Sequence, residues 1–242
     1  MSRLVACHFG GGPWDRMARV LEWTARKNNP GWSVEVVKLE QRLDHRYTAS
    51  FVANTQKLDW WAEQVQAAPD GQRLLLLDVD TFVTGPLDGA WAEEFDFAYT
   101  IRDVITTRYP FNAGAIFLRT VPAARRFMQA WADENRRMLH EPAYHLPFYR
   151  AYGGINQAAL GKLLVDGDAA ARLGVRVATL PCSVWNCENL TWEQFDPART
   201  RIVHLKDGLR LAALGMDGAT QRTLELARLW RALEREALAV PA

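Results

Sequence analysis

Apolar and polar positions fall into blocks along this chain, and the blocks carry two different periods. Residues 4–9 form a short apolar run that ends in Gly10-Gly11-Gly12-Pro13, which reads as a strand followed by a loop. Behind it Met17, Val20, Leu21 and Thr24 recur at helical spacing, with Asp15 placed to cap that helix and Asn28-Asn29-Pro30-Gly31 to end it. Residues 32–39 alternate as a second strand. A helical pattern over residues 48–67 puts Phe51, Leu58, Trp61 and Val65 on one face, and Pro69-Asp70-Gly71 then turns the chain into Leu74-Leu75-Leu76-Leu77. Such an unbroken apolar run, bounded by charge and glycine, reads as a short strand buried on both faces. Further strands are expected over residues 96–101, 111–118, 175–180 and 201–205, and helices over 122–139, 155–164 and 220–238. Residues 140–154 are aromatic and proline-containing without a period, which predicts a loop. Strands and helices alternate from the start, so the expected fold is α/β, a mostly parallel central sheet with helices on both faces. No linker, repeat or low-complexity segment interrupts it, which predicts one domain over residues 1–242 with the helix at 220–239 packed on it.

Composition narrows the function without naming it. Hydrophobic residues make up 49% of the 242 positions and charged residues 24%, ordinary values for a globular protein. The net charge of +1 argues against a global nucleic-acid footprint or a charged membrane surface. Arg119, Arg125, Arg126, Arg136 and Arg137 gather around one helix, as a solvated face or as a local guide for an anionic acceptor, DNA included. Ten tryptophans suit an enzyme that stacks sugars or bases, although Trp60, Trp61, Trp131 and Trp230 fall at helical spacing and read as core. Three cysteines, Cys7, Cys182 and Cys187, form neither an even disulfide framework nor a zinc knuckle, which predicts a reduced, cytoplasmic setting. The apolar run at the start is too short for a signal peptide, and no run of membrane-spanning length occurs.

The chemistry concentrates where the leucine strand ends. Asp78 and Asp80 lie one residue apart at the edge of a buried segment, a costly placement unless a cation meets them. A divalent metal is the simplest partner, because hard cations take oxygen ligands. An extended Asp-x-Asp points its side chains apart, so a turn has to begin between them for both to reach one region. In parallel sheets ligands bind at the carboxyl ends of the strands, where Gly10, Asp78 and Asp80 fall. His204, on the late strand, is a sensible third ligand for Mn²⁺. Two phosphate chemistries compete. In a haloacid-dehalogenase-type phosphatase Asp78 would be the nucleophile, and Asp78-Val79-Asp80-Thr81 resembles that signature without its glycine before threonine. The only late acidic pair on offer is Asp166 and Asp168, followed by three alanines and Arg172. In the other, the carboxylates anchor a metal on the diphosphate of a nucleotide-sugar, with the glycine-rich loop beside the nucleoside and Lys206 neutralising phosphate oxygens.

On these residues the chain resembles the GT-A (Rossmann-like) glycosyltransferases, in pattern glycosyltransferase family 8 and related nucleotide-diphospho-sugar transferases. Six segments in order carry the resemblance across residues 4–210. They are Phe9-Gly10-Gly11, Lys57, the leucine run through Asp78-Val79-Asp80-Thr81-Phe82-Val83, Phe111-Asn112-Ala113-Gly114, Gly153-Gly154-Ile155-Asn156-Gln157, and Ile202-Val203-His204-Leu205-Lys206-Asp207-Gly208. The resemblance implies a nucleotide-sugar donor, UDP-linked by preference, with Mn²⁺ or Mg²⁺ held by Asp78, Asp80 and His204. It implies donor contacts from Phe9, Gly10, Lys57, Asp78, Asn112, Gly114, Lys206 and Gly208, and places Gln157 and Asn156 beside the reacting centre. Two departures stand out. Asn156 occupies a position where the family commonly has aspartate, and Asp207 lengthens the histidine-to-glycine spacing by one while the family's downstream Lys-Pro-Trp is absent. An inverting enzyme would need a carboxylate base, for which Asp103, Asp166 and Asp168 are candidates. A retaining route assisted by Gln157 and the departing phosphate needs none and is the expectation. The acceptor is a hydroxyl group of a glycan, small molecule, protein or modified DNA base, met by residues 140–152 and 182–195. An inactive nucleotide-sugar-binding protein is the non-enzymatic alternative.

Overall fold

The computed structural model describes residues 2–104, 108–215 and 220–239. Strand β1 (Ser2–Phe9) leads into helix α1 (Pro13–Asn28) and back to β2 (Ser33–Leu39), and α2 (Ala49–Ala67) precedes β3 (Arg73–Leu77). A turn through residues 78–80 gives the short β4 (Thr81–Val83), and β5 (Phe97–Ile101) and β6 (Phe111–Arg119) follow. Helices α3 (Pro122–His140), α4 (Pro142–Tyr152), α5 (Ile155–Leu164) and α6 (Ala169–Leu173) come next. The chain ends through β7 (Val177–Pro181), α7 (Cys182–Trp185), β8 (Ile202–His204), α8 (Asp207–Ala213) and α9 (Gln221–Ala239).

The main sheet runs in the order β2-β1-β3-β6-β5-β7. It is mostly parallel, as expected, with β6 alone reversed between β3 and β5. The reversal has a local cause: β5 ends at Ile101 and β6 begins at Phe111, and a parallel return needs a longer crossover than the intervening chain allows. Alternation across the strand divides the leucine run. Leu74 and Leu76 join Leu58, Trp61, Phe127 and Trp131 under α2, α3 and α5, whereas Leu75 and Leu77 pack with Leu4, Leu21 and Phe117 on the α1 side. A third cluster, built on Met17, Val20, Phe82 and Trp230, seats α9 against α1 and α8, and Arg16 Nε donates to Glu234 Oε1 across it at 2.5 Å.

Two local expectations are corrected. Residues 140–154 are not a loop, because α4 occupies most of them, with Pro142 in its first turn and Pro147 inside. The period is hidden because α4 fully buries only His145 and Tyr152, too few for an apolar stripe. Asp15 does not cap α1; Gly12 holds that position at φ 60, and Asp15 lies in the first turn, accepting from Lys38 Nζ at 3.1 Å. Of the four tryptophans read as core, Trp61, Trp131 and Trp230 are fully buried, while Trp60 is half-buried.

Trp131 ties this core to the cavity described below, since its Nε1 donates to the Asn156 carbonyl at 2.7 Å. Trp131→Ala is expected to lower unfolding free energy by about 3–5 kcal/mol in urea denaturation, through lost burial and the cavity left behind.

Candidate active site

The small antiparallel ladder of β4 with β8 assembles the centre. Its register sets Thr81 against His204, and Leu205 N donates to the Asp80 carbonyl at 2.7 Å. The turn that begins after Leu77 therefore carries both carboxylates to the same place. His204 Nε2 lies 3.2 Å from Asp80 Oδ1 and 3.8 Å from Asp78 Oδ2, and one ligand atom from each of the three residues falls within 4.8 Å of the other two.

The imidazole is oriented from behind. Asn186 Nδ2 donates to Thr100 Oγ1 at 2.9 Å and Asn112 Oδ1 at 3.1 Å, which leaves Asn186 Oδ1 to accept from His204 Nδ1 at 3.0 Å. With Nδ1 directed at Asn186, Nε2 faces both carboxylates: a proton there pairs with Asp80, and the same nitrogen without it would offer its lone pair to a cation held between them. Two carboxylates and an imidazole nitrogen form a donor set able to hold a divalent metal. Gly114 makes the approach possible: a Cβ there would stand 2.4 Å from His204 Cε1 and 2.8 Å from Nδ1.

Cations already surround the carboxylates. Lys57 Nζ contacts Asp78 Oδ1, and Arg210 NH2 contacts Asp80 Oδ2. Burial would raise the Asp80 carboxyl, but the charge and hydrogen bond of His204, with Arg210 and Lys206, overcome it and hold Asp80 below the usual carboxylate range. Lys57 is not the solvated helix lysine that its place on α2 would allow. It is buried, and its ammonium lies 4.7 Å from the centre of the Trp61 ring.

These groups line one cavity of about 500 Å³, within the range usual for ligand sites. The structure brings Phe9, Lys57, Asp78, Asp80, Asn112 and Gly114 to it, together with Asn156, Gln157, His204 and Lys206. At its edge Gln157 Oε1 accepts from Ala113 N at 3.3 Å, while Gln157 Nε2 donates to the Tyr152 carbonyl. Asn112, a lining residue, has its Nδ2 buried with no hydrogen-bond partner among the described residues. Gly10, Gly208 and Asp103 are not brought to the lining. Asp103 instead accepts from Ser183 N at 3.0 Å and from the Ser183 hydroxyl. Gly208 lies inside α8, because that helix already begins at Asp207.

The cavity also contains residues that sequence reasoning missed. Arg210 lies one helical turn beyond Lys206, a spacing of four that could have marked it as facing the same way. Its guanidinium carbon is 5.3 Å from the centre of the Trp14 ring, another lining residue. Cys7 and His8 line the wall too. Burial pushes the Cys7 thiol up to about 12, which disfavours the thiolate, and pushes the His8 imidazole below its ordinary range. Asn186 carried no readable signal, since residues 182–195 lack a pattern.

Neither Asp166 nor Asp168 lines the cavity, so the late acidic pair of the phosphatase reading is not brought to Asp78. All four α3 arginines are engaged within the chain: Arg125 with the Val65, Gln66 and Ala68 carbonyls and Asp70, Arg126 with the Leu173 carbonyl, Arg136 with Asp59 and Asp133, and Arg137 with Glu141.

Solved structures share this architecture. A glycosyltransferase involved in the glycosylation of the major capsid of PBCV-1 matches with a TM-score of 0.58 at 14% identity, over 96% of this chain and 98% of that one. The galactosyltransferase LgtC, in complex with donor and acceptor sugar analogues, matches with a TM-score of 0.58 at 11% identity, over 99% and 97%. GlyE of Streptococcus pneumoniae TIGR4 gives 0.58 at 12% identity, and there this chain spans only 63% of the longer protein. The chain has the GT-A glycosyltransferase fold. No protein-family model matches it, and no curated protein matches it by sequence. Among the described residues no helix is long and apolar enough to cross a membrane.

Proposed function

We propose that this protein is a metal-dependent glycosyltransferase that moves a sugar from a nucleoside-diphosphate donor, UDP-linked by preference, to a hydroxyl acceptor with retention of configuration. The observation that carries the reading is the Asp78, Asp80 and His204 trio in the wall of a cavity that Lys206 and Arg210 also line. Mn²⁺ suits this donor set better than Mg²⁺ because of the imidazole. When bound, the ion would act as a Lewis acid that draws charge from the diphosphate as its bond to the sugar breaks.

The chain's own groups account for the remaining work. Phe9 and Trp14 offer aromatic surface near the end of β1 for the nucleoside. Lys206 and Arg210 supply fixed positive charge for diphosphate oxygens, with Arg210 exchanging Asp80 for phosphate. Asn112, another lining residue, contacts the sugar in this reading. In a retaining transfer the acceptor oxygen attacks from the side the diphosphate leaves, and the acceptor proton passes to the departing phosphate oxygen, so no carboxylate base is needed. Gln157, hydrogen-bonded to both β6 and α4, is held where it can orient the sugar. Residues 1–242 act as one domain in this reading, and three free, buried cysteines suit a cytoplasmic setting.

Thermal shift with nucleoside diphosphates and nucleotide-sugars, with and without Mn²⁺, tests the reading directly. UDP compounds with Mn²⁺ are expected to raise the melting temperature well above either alone, because only the native state binds them. If no UDP, GDP, CDP or dTDP compound stabilises the protein even with metal, the reading fails.

A further inference from the structure

Among the described residues the most deeply buried arginine–carboxylate pair is Arg102 with Glu188, whose side chains are 5% and 0% exposed, and neither residue lines the cavity. Arg102 Nε donates to Glu188 Oε1 at 2.8 Å and Nη2 to Oε2 at 3.1 Å, a two-armed grip. Withdrawing two charges from water offsets much of their attraction, so such a pair is a poor source of net stability. What it supplies is geometry, because a planar fork that meets a carboxylate at two points tolerates little rotation. The pair joins the chain just past β5 to residues 186–191, which contain neither helix nor strand.

Those residues seat His204. Asn186 Oδ1 accepts from the imidazole Nδ1 at 3.0 Å. Cys187 N donates to the Ile202 carbonyl at 2.9 Å, and the Cys187 carbonyl accepts from His204 N at 2.8 Å, a bridge that straddles Val203 and fixes the backbone of β8. Glu188 comes next and carries the ion pair, its own N–H donating to Thr191 Oγ1 at 3.0 Å. Three consecutive residues thus hold the His204 ring, the His204 backbone and the anchor of both. The far side of the anchor is built to match. Thr100 Oγ1, two residues before Arg102, accepts from Asn186 Nδ2 at 2.9 Å, so Thr100 with Asn186 and Arg102 with Glu188 form two clamps at the same spacing. Arg102 is fixed in turn, its N donating to the Pro110 carbonyl at 2.9 Å and its Nη1 to the Tyr109 carbonyl.

We propose that Arg102 and Glu188 are a positioning pair for the metal centre: they set the register of residues 186–188 against β5 and so aim His204 Nε2 at Asp78 and Asp80. The pair acts through Asn186 and Cys187 and touches no ligand. Apolar side chains in its place would keep the volume and the burial but not the register. The proposal rests on the metal-site reading above, and its test keeps the two apart.

The variant to make is Arg102→Met with Glu188→Leu, which removes both charges together and leaves neither uncompensated. Its urea midpoint is expected at or above the wild-type value. Mn²⁺ affinity, read from the EPR signal of the free ion, should fall about tenfold, the lower end of the loss usual when support behind a ligand is removed. In the metal-free protein the ¹⁵N-imidazole signals of His204, assigned with His204→Gln, should shift or broaden. The control is Arg16→Met with Glu234→Leu, an ion pair of the same chemistry that does not line the cavity, and it should leave both readings at the wild-type value. If the Arg102 and Glu188 double variant does not fold, Arg102→Lys decides alone: it keeps the charge, gives up the fork, and should show the same two changes at smaller size. Wild-type Mn²⁺ affinity with unaltered His204 signals, or equal losses in the control, would overturn the proposal and leave the metal site standing. A wild type that binds no Mn²⁺ removes the metal reading, and the His204 signals then decide the positioning claim by themselves.

Discussion

Asp80→Asn abolishes the stabilisation by UDP with Mn²⁺ and lowers Mn²⁺ affinity by at least about 100-fold in isothermal titration. Asparagine keeps the volume and one oxygen, so the loss is of charge. Asp80 is buried, its Oδ1 faces His204 Nε2 at 3.2 Å, and its backbone carbonyl is already committed to Leu205 N. Without that carboxylate charge, Nε2 faces Asp78 alone at 3.8 Å, and Asp78 already has Lys57 on its other oxygen. The protein should still fold. Arg210 is 34% exposed and can turn to water once its partner is neutral, so the cost to unfolding free energy is about 1–3 kcal/mol. Asp78→Asn is the informative comparison: it should weaken Mn²⁺ less, because its partner Lys57 contacts the oxygen that does not face His204. Wild-type Mn²⁺ affinity in Asp80→Asn would remove these three residues as the metal site.

The parts of this centre differ in how legible they were, and the difference follows the range of the interaction. Leu74 to Leu77 announced a strand buried on both faces because burial of a short strand is written in consecutive residues, and all four side chains are fully buried. Asp78 and Asp80 followed from the cost of anions at its end. His204 could be named as a ligand candidate, but its pairing partner could not. A three-residue strand opposite Thr81 is too short for a periodic signal and joins positions more than a hundred residues apart. Asn186, which fixes the imidazole from behind, sits where no pattern exists at all. Spacing misled at Gly208. The extra residue, Asp207, takes a left-handed φ of 42 and starts α8 itself, so the glycine that a phosphate loop would use is drawn into a helix. Asp103 is a candidate base by residue type alone, with no motif to place it, and the Ser183 backbone and hydroxyl hold it elsewhere. Lys57 illustrates the reverse case. Nothing in the α2 periodicity distinguishes it from a solvated lysine, and only the nearness of Asp78 gives it a counter-charge.

Gly114→Ala should damage metal binding nearly as much as loss of a ligand, although Gly114 itself offers no side chain. The added methyl would lie 2.4 Å from His204 Cε1, 2.8 Å from Nδ1 and 2.9 Å from Asn112 Oδ1, all closer than real contacts allow. The strand cannot retreat easily, because the Gly114 carbonyl accepts from Asp78 N at 2.8 Å and its N–H donates to Asn112 Oδ1 at 2.8 Å. The imidazole must therefore move, which breaks its bond to Asn186 and turns Nε2 away from Asp80. Mn²⁺ affinity is expected to fall about 10- to 100-fold, with an overpacking cost of about 1–3 kcal/mol in urea denaturation. Gly161→Ala separates the two effects. Its methyl would meet Tyr152 Cδ2 at the same 2.4 Å, yet touches no ligand of the proposed metal. Both variants should lose comparable stability, and only Gly114→Ala should lose Mn²⁺. Equal Mn²⁺ affinities in the two would mean that the glycine serves strand packing and not the seating of His204.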